Sequence, residues 1–411
     1  MFLWILAASA ADYEVVELGT LGGRSTAAAA INERGQVAGV SSLAGPEQHA
    51  FVWENGKMRD LGTLGGRHSF AWDINERGQV VGGAQDDQGR TRAVIWSGTG
   101  PAQDLGVLEG GEASFAIAVN ERGQVAGFSQ ALDGETHAVL WDGGKAIDLG
   151  TLGGGFSYAI DVNERGEVLA MSTTPTGHRA FVWRDGQRTE VGPAEATWSS
   201  AFDLNDKGQV VGSAPLGDEA RLVGYRWSPG GLTATFGLGG DIVIVSAINE
   251  AGDAAGYGTL TAARPGVIEA GLRPDQAPDF EATLAAFGEQ ESAPEVEVHA
   301  FVYRAGVLTD LGTLGGAHAS AVDINDSGHV IGSSARAIDG RPRAFVWRDG
   351  TMTELPTPEE ASAGASDINN RGQIVGSWSY EGRRRAFVAS PCAPGTPDCG
   401  AGSRRSEPGT R

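Results

Sequence analysis

The residues of this chain that most invite a chemical interpretation form a repeated pattern, Asp-x-Asn-x-x-Gly. One copy consists of Asp73, Asn75 and Gly78, and its spacing matches the start of a calcium-binding loop, where alternate oxygen ligands precede a glycine. The next expected ligand position holds a cation in most copies, such as Arg77, which would repel a metal ion. The alternative is a hairpin turn, in which Asn binds its own backbone and Gly adopts a positive φ. The sequence therefore favours structural turns and predicts no metal site.

Two further patterns suggest chemistry that the sequence does not support. The run Gly-Thr-Leu-Gly-Gly at 62–66 resembles a phosphate-binding loop, but it lacks the Gly-Lys-Ser/Thr ending and no helix follows it. His49, His137 and His299 occupy a position that holds Arg in other copies, which favours a hydrogen-bonding role. No Ser-His-Asp order or His-Glu-x-x-His pattern occurs. We therefore predict no catalytic residue and no cofactor.

An aromatic residue recurs at the end of the segment Ala-Phe-Val-Trp. Such a row either binds sugars or packs between repeated units, and recurrence with the whole segment favours packing. The residues are Trp53, Trp96, Trp141, Trp183, Trp227, Tyr303 and Trp347.

These patterns belong to a long internal repeat. The Asn of each Asn-x-x-Gly marks one copy, and the steps between successive markers are 43, 45, 43, 42, 44, 76 and 44 residues. The long step indicates an insertion, which we place at about 259–298. The predicted structural turns are Asn32, Asn75, Asn120, Asn163, Asn205, Asn249, Asn325 and Asn369.

Each copy contains four strand-like pieces bounded by Gly and Asn, as in a propeller blade. The chain begins with a lone fourth-type strand at 13–18 and ends with a lone third-type strand at 385–388. We therefore predict an all-β fold, an eight-bladed β-propeller of four-stranded antiparallel blades. Pairing of the N-terminal strand with the last blade would close the ring and remove exposed edges. An open solenoid is the alternative, and it would normally need capping repeats.

The repeat resembles the bacterial HAF-repeat family of probable extracellular repeat proteins. The resemblance lies in Asp-Leu-Gly-Thr-Leu-Gly-Gly at 60–66, Ile-Asn at 74–75, Gly-Gln-Val-Val-Gly at 78–82 and His-Ala-Phe-Val at 299–302. It covers nearly all of 13–388. This resemblance implies export and repetition, and it brings no activity or functional residue with it. The connectors at 190–193 and 354–356 lose the Gly-Thr-Leu-Gly-Gly run and are expected to differ.

The two ends of the chain read as segments outside the propeller. Residues 1–10 are apolar with a small-residue end, which predicts a short or truncated signal peptide, the alternative being a buried strand extension. The single propeller domain would span 11–390, and the tail 391–411 would be disordered. Cys392 and Cys399 are a possible disulfide in an oxidising compartment. The expected location is secreted, periplasmic or at the surface of a bacterium.

Composition excludes several classes of protein. The 411 residues include 31 Lys and Arg against 52 Asp and Glu, a formal charge of −21, so the phosphate backbone of nucleic acid would be repelled. No apolar run is long enough for a transmembrane helix. The 2 cysteines cannot build a disulfide framework, and 41% hydrophobic residues suffice for a core. The 63 glycines fit the recurring turns and crossovers of the repeat.

Positions that vary between copies are the candidate ligand-binding residues, because the fold does not dictate them. They follow the Gly-Gly pair or lie in the acidic insertion, and we expect both on one loop face around the channel mouth. The residues are Arg67, His68, Phe156, Trp198, Asp241 and His318, with Asp279 and Glu281 of the insertion.

Three functions are compatible with these residues. The first is a monomeric, exported, non-catalytic scaffold that binds an extracellular protein, peptide or glycan at the face carrying the insertion. The second is a structural protein of the cell surface or matrix. The third is a polysaccharide lyase or hydrolase that uses acids of the insertion, which would need two positioned carboxylates with separated pKa values.

Overall fold

Every regular element that the structure describes is a β-strand, so the all-β prediction is confirmed. The structure is a computed structural model, and it describes residues 13–132, 134–217, 221–260, 297–392 and 399. The predicted signal peptide 1–10, most of the insertion and most of the tail lie outside these residues. Within them, no helix is long and apolar enough to cross a membrane.

The described chain contains 32 strands, numbered here in chain order. Strands β1 to β9 are Tyr13–Glu17, Thr26–Ile31, Val37–Ser42, Gln48–Glu54, Lys57–Asp60, Gly65–Ile74, Gln79–Asp86, Thr91–Ser97 and Gln103–Asp104. Strands β10 to β17 are Ser114–Val119, Val125–Gln130, Thr136–Asp142, Lys145–Gly150, Ser157–Val162, Val168–Thr174, Gly177–Arg184 and Gln187–Val191. Strands β18 to β25 are Ser200–Leu204, Val210–Leu216, Arg221–Ser228, Gly231–Phe236, Val243–Ile248, Ala254–Thr259, Val298–Arg304 and Val307–Gly312. Strands β26 to β32 are Gly315–Ile324, Val330–Arg336, Pro342–Arg348, Thr351–Glu354, Ser362–Ile368, Ile374–Tyr380 and Arg383–Pro391.

The strands form successive antiparallel units of four. Units 1 to 7 are β2–β5, β6–β9, β10–β13, β14–β17, β18–β21, β22–β25 and β26–β29, and a single parallel pair, Val298 with His318, joins units 6 and 7. Unit 8 contains β30, β31 and β32, and its fourth strand is β1. Strand β1 lies antiparallel to β32, with Tyr13 opposite Pro391 and Glu17 opposite Phe387.

The first strand of each unit is the innermost one, since it lies against the first strands of the neighbouring units. Each first strand also carries a β-bulge three residues before its marker Asn. In unit 2, Ala71 pairs with Gly82 and Asp73 with Val81, so the register of the pairing shifts at Trp72. Such a bulge bends the strand and changes the direction of the side chains around it. The equivalent residues are Ala29, Trp72, Ile117, Ile160, Phe202, Ser246, Val322 and Ser366.

The core lies between adjacent units rather than inside any one of them. A typical cluster joins Ala126 and Leu140 of unit 3 to Ala159 and Phe181 of unit 4. Within the sheet of unit 2, the first and second strands approach so closely at the bulge that glycine is required in the second strand. A Cβ on Gly82 would lie 1.9 Å from the carbonyl oxygen of Phe70, which no other residue could accommodate. Each unit therefore depends on its neighbours for burial.

The connector into unit 8, which lacks the Gly-Thr-Leu-Gly-Gly run, is organised by a buried guanidinium. The side chain of Arg343 is 1% exposed. It donates to the carbonyl oxygens of Thr357, Pro358 and Ala361 at 2.8, 2.7 and 2.6 Å. Its Nε donates to Glu354 at 2.5 Å. This one side chain donates to three carbonyl oxygens of the loop, of which that of Pro358 also accepts the backbone N–H of Ala361.

In the connector into unit 5, an Arg side chain likewise binds backbone carbonyl groups. Arg179 donates to the carbonyl oxygens of Pro193 at 3.0 Å and Ala196 at 2.5 Å. The two connectors that depart from the repeat thus share an Arg from the preceding third strand, and this Arg is buried at Arg343 and partly buried at Arg179. The expected difference between these connectors and the others is present.

We expect the substitution R343A to lower the free energy of unfolding by about 3 kcal/mol or more, because it removes a buried guanidinium that binds three carbonyl groups and one carboxylate. The measurement is urea unfolding followed by circular dichroism. The matched control is R341A, which removes an exposed Arg near Asp339 and should cost less than about 1 kcal/mol. Equal losses for the two variants would contradict the role given to Arg343.

Candidate functional site

The marker Asn of each unit links that unit to the next. In unit 2, Asn75 Oδ1 accepts the backbone N–H groups of Arg77 and Gln79 at 3.1 and 3.0 Å, as in an Asx turn. Its Nδ2 donates to Gln79 Oε1 at 2.9 Å and to the carbonyl oxygen of Asn120, in unit 3, at 3.0 Å. The same donation runs between all eight markers in turn. The last marker, Asn369, donates to the carbonyl oxygen of Asn32 at 3.0 Å.

A second series of contacts lies one residue further along each turn. The side chain of Glu76 accepts the backbone N–H of Glu33, its counterpart in unit 1, at 2.6 Å. The backbone N–H of Asn370 donates to Glu33 in the same way, at 2.6 Å. We call this set the mouth ring, and it consists of Glu33, Glu76, Glu121, Glu164, Asp206, Glu250, Asp326 and Asn370. It places seven carboxylates around one end of the inner strands.

The Asp of the repeated Asp-x-Asn pattern binds backbone, and it does so across units. Asp73 Oδ1 accepts the N–H of Ile74 at 2.7 Å, and Oδ2 accepts the N–H of Val119, in unit 3, at 2.8 Å. We call the five equivalent residues the Asp ring: Asp73, Asp161, Asp203, Asp323 and Asp367. Because these oxygens are used by backbone amides, they are poor candidates for a calcium site. Within the described residues, no group of three His, Cys, Asp or Glu side chains could hold a metal ion.

The alternation of Asp and Ala at this position follows a simple rule. Units 1, 3 and 6 have Ala30, Ala118 and Ala247 where the others have Asp. In each of these units the amide that follows the Ala bonds to the Asp of the preceding unit. For unit 1 the donor is Ile31 and the acceptor is Asp367 of unit 8, at 2.7 Å. A unit with Ala therefore always follows a unit with Asp. The backbone amide after this position has an acceptor in all eight units.

The surroundings of the Asp ring favour its protonated form. Burial raises the pKa of Asp73 to about 6 and that of Asp161 to about 7, with neighbouring carboxylates adding to the effect. Burial also raises the pKa of Asp203, Asp323 and Asp367, and the last two share a hydrogen bond. Stability contributed by these groups is complete below about pH 4 and is lost as the pH rises through about 6 to 7. The ring thus disfavours the accumulation of negative charge at the centre of the molecule.

A cavity of about 250 Å³ lies beside the Asp ring, and we call it the axial cavity. Its residues come from the first strands of units 2 to 5 and include four bulge residues. One of them, Phe202, is 38% exposed. The lining consists of Trp72, Asp73, Ile117, Ala118, Ile160, Asp161, Phe202 and Asp203.

The axial cavity was not predicted from the sequence. The available signal is the residue three positions before the marker Asn, where units 2 to 5 have Trp, Ile, Ile and Phe. Units 1, 6 and 8 have Ala or Ser at this position. That contrast appears only when the copies are aligned on the bulge.

The sequence-predicted ligand residues lie at the opposite end of the first strands, in or beside the connectors that precede them. Arg67 is exposed and forms an ion pair with Glu47 of unit 1 at 2.7 Å. The His68 ring accepts the N–H of Gln48 at 3.2 Å, and Asp241 accepts the N–H of Leu222 through its backbone carbonyl at 2.7 Å.

The other three described ligand candidates at this end have aromatic or imidazole side chains. The ring of Phe156 lies 5.7 Å from that of Tyr158, and the ring of Trp198 lies 4.9 Å from that of His178. His318 is exposed in β26. These contacts join each residue to its own or the preceding unit rather than to one another, and Asp279 and Glu281 lie outside the described residues.

The repeated histidines pair with acids on the neighbouring strand. His49 lies 2.9 Å from Asp60, and His299 lies 2.8 Å from Asp310. His137 pairs with Asp148 at 3.0 Å. In unit 2 the same place is taken by Arg92 and Asp104, at 3.1 Å. Because an Arg fills the position equally well, these pairs hold strands together and give no specific sign of catalysis.

Comparisons with known proteins inform the fold and give little information on function. Residues 313–387 match a family model described as a protein of unknown function, DUF3466. No curated protein is significantly similar in sequence. The Dos1 propeller is similar with a TM-score of 0.53 and 10% identity, over 92% of this chain and 95% of that one. The propeller domain of the Trilobed protease from Pyrococcus furiosus has a TM-score of 0.46 and 13% identity, over 78% and 93% of the two chains. The similarity to the Dos1 propeller shows a β-propeller fold.

Some backbone amides bind the Asp of a neighbouring unit, and others bind two Asp residues at once. Two equivalent Asp-to-Ala substitutions are therefore expected to lower the stability by different amounts. D73A leaves the N–H groups of Ile74 and Val119 without an acceptor, whereas D161A leaves only Val162, because Leu204 also binds Asp203. We expect D73A to cost about 1–3 kcal/mol more, the penalty of one further unsatisfied buried amide. The measurement is chemical unfolding of both variants at about pH 5, where charge repulsion is smallest.

These two variants are each other's control, since both replace an Asp by the Ala found in units 1, 3 and 6. Equal stability losses would contradict the sharing of amides between units.

Proposed function

We propose that the units form a closed ring of eight blades. Two kinds of contact between the ends of the chain support this proposal. Strand β1 pairs with β32 inside unit 8, where it takes the place of the fourth strand that other units supply from their own sequence. The three bonds made by Asn369, Asn370 and Ile31 join units 8 and 1, and each repeats an interaction that other neighbouring units make. Tyr13 and Val15 of β1 also enter the core cluster that contains Phe387.

Deletion of residues 13–17 should therefore leave unit 8 one strand short. We expect the melting temperature to fall by roughly 5 °C or more, since buried apolar surface and a strand pairing are lost together. The control is deletion of 400–411, which should leave the melting temperature unchanged. A 13–17 deletion that melts like the full chain would refute the closure.

We propose further that this propeller is an exported, non-catalytic scaffold that binds a protein, peptide or glycan. Its binding surface would be the crossover face, defined as the connectors before the first strands and the loops between second and third strands. The observation that carries this proposal is the insertion in the β23–β24 loop, whose described ends meet on this face. The backbone N–H of Leu260 donates to the carbonyl oxygen of Glu297 at 3.2 Å.

Other features of the crossover face support a contact role. Leu132 and Ile338, in the corresponding loops of units 3 and 7, are 77% and 84% exposed. Beside Leu132 lies a cleft of about 650 Å³ that also includes Leu108, His137 and Asp148. Exposed apolar side chains grouped with polar ones are common in binding surfaces.

Export is supported by two observations of different kinds. Cys392 and Cys399 form a disulfide, which is typical of an oxidising compartment. The resemblance of the repeat to HAF-repeat proteins points in the same direction.

The test replaces residues 261–296 by a short Asn-Gly turn, which the close approach of Leu260 and Glu297 permits. The intact protein is first screened on an array of bacterial envelope glycans and immobilised envelope proteins. We expect the deletion to weaken binding to any ligand found by about tenfold or more, with an unchanged melting temperature. The control variant is L232S, which changes an exposed Leu of a fourth strand.

Two results would overturn the assignment of the crossover face. One is affinity that survives the deletion, and the other is an equal loss in L232S.

A further inference from the structure

The axial cavity combines two kinds of lining. One part is apolar and belongs to the bulge residues Trp72, Ile117, Ile160 and Phe202. The other part is acidic and belongs to the Asp ring. It lies toward the Asn-turn end of the first strands, opposite the crossover face, so it is separate from the surface proposed above.

The apolar part is held in place by the fold. The register shifts at Trp72, whose indole lies edge-on to Phe115 of unit 3 with ring centroids 6.4 Å apart. Phe202 occupies the equivalent bulge in unit 5 and is 38% exposed. An aromatic side chain exposed inside a cavity provides a surface for an apolar or cationic group.

The acidic part is reinforced from the mouth ring. The carboxylate of Glu121 acts on Asp73, and that of Asp206 acts on Asp161, raising the pKa of each. Asp161 and Asp323 act on Asp203 in the same way. The cavity is therefore lined by carboxyl groups of three units, Asp73, Asp161 and Asp203, with further carboxylates in the turns beside it.

The cations of this end do not line the cavity. They lie one residue beyond the mouth ring and are exposed: Arg34, Arg77, Arg122, Arg165, Lys207 and Arg371. Arg165 donates to Glu167 at 2.7 Å, and Lys207 donates to the carbonyl oxygen of Glu250. The positive charge of the turns is thus directed to the surface.

We propose that the axial cavity binds an ammonium group carried on an apolar stem. The carboxylates exclude an anion, and their engagement with backbone amides disfavours a bare metal ion. A neutral apolar molecule would cover the Asp ring without compensating its charge, which is costly. An ammonium on an apolar stem satisfies both parts of the lining, with the stem against Phe202 and the charge toward the ring carboxylates, of which Asp73 and Asp161 are ionised at about pH 8.

The test is calorimetric titration with 2-phenylethylammonium at about pH 8. We expect saturable binding at a single site. The neutral analogue 2-phenylethanol and the anion phenylacetate should bind at least about tenfold more weakly, because they lack the charge that the carboxylates require.

A matched pair of variants locates the binding. F202S should weaken the affinity for 2-phenylethylammonium about tenfold, the effect of losing one aromatic contact. L232S removes a Leu that is similarly exposed, at 41%, on an outer strand and should have no effect. Both side chains are partly exposed, so neither change is expected to prevent folding.

Acidification gives a second readout that does not depend on a variant. Between about pH 8 and pH 5 the Asp ring, which Glu121 and Asp206 face from the turns, gains protons because its carboxyls have raised pKa values, about 6 for Asp73 and about 7 for Asp161. The ammonium keeps its charge over this range. Affinity should therefore fall by about tenfold or more as the pH is lowered.

The source of the ammonium is distinguished by a second ligand, Nα-acetyl-lysine methylamide. Binding that is also weakened by F202S assigns the cavity to a lysine side chain of a protein, whereas failure of this ligand alone assigns it to a free amine. Equal binding of 2-phenylethanol, no effect of F202S, or no saturable binding of 2-phenylethylammonium would overturn the proposal. Deletion of 261–296 should leave amine binding unchanged, so the two proposals fail independently.

Discussion

The hydrogen bond from the carboxamide of one marker Asn to the backbone carbonyl of the next is the interaction on which the rest of the structure depends. An amide side chain can accept and donate at once, and here Oδ1 shapes its own turn while Nδ2 fixes the neighbouring unit. Asn75 is 5% exposed, so both bonds form where water competes poorly. Local turn geometry and the spacing between units are consequently set by the same side chain, and an Asp or a Ser could not supply both functions.

This double role explains what could and could not be predicted from the sequence. The strands, the turns and the length of the repeat follow from patterns within about 44 residues, where periodicity and turn residues are informative. The function of Asp73 was not predictable in that way, because its second partner, Val119, lies 46 residues away in another unit. Three copies have Ala in place of this Asp, and there the acceptor is supplied by the Asp of the preceding unit.

The candidate sites show the same limit. His68 and Trp198 were selected because they vary between copies, and variation identifies positions that the fold leaves free. It does not reveal which of them share a cavity, since that depends on the bulge that places Trp72 and Phe202 along the inner strands. The buried Arg343 was equally hidden, because its acceptors are backbone carbonyls of a connector with no recognisable motif.

The centre of the molecule is acidic although apolar side chains such as Ile117 and Phe202 also line it. The mouth ring and the Asp ring use carboxylates as acceptors for backbone N–H groups, which gives strong, directed bonds. The same choice concentrates like charges, and the raised pKa values of Asp161 and Asp73 are the electrostatic consequence. Satisfying the backbone and limiting repulsion are thus opposing demands, and replacing Asp by Ala in units 1, 3 and 6 reduces the number of charges while every amide keeps a partner.

Because each unit with Ala depends on the Asp of the unit before it, the repeats differ in how easily one of them could be lost during evolution. After loss of unit 4, 5, 7 or 8, every unit with Ala would still follow a unit with Asp. The backbone amides that bind the Asp ring would therefore all retain acceptors. Loss of unit 2 would bring Ala30 directly before Ala118 and leave the amide of Val119 with nothing to bind. The second repeat is therefore the one whose removal by recombination would require a compensating substitution, although its sequence is close to the consensus of the others.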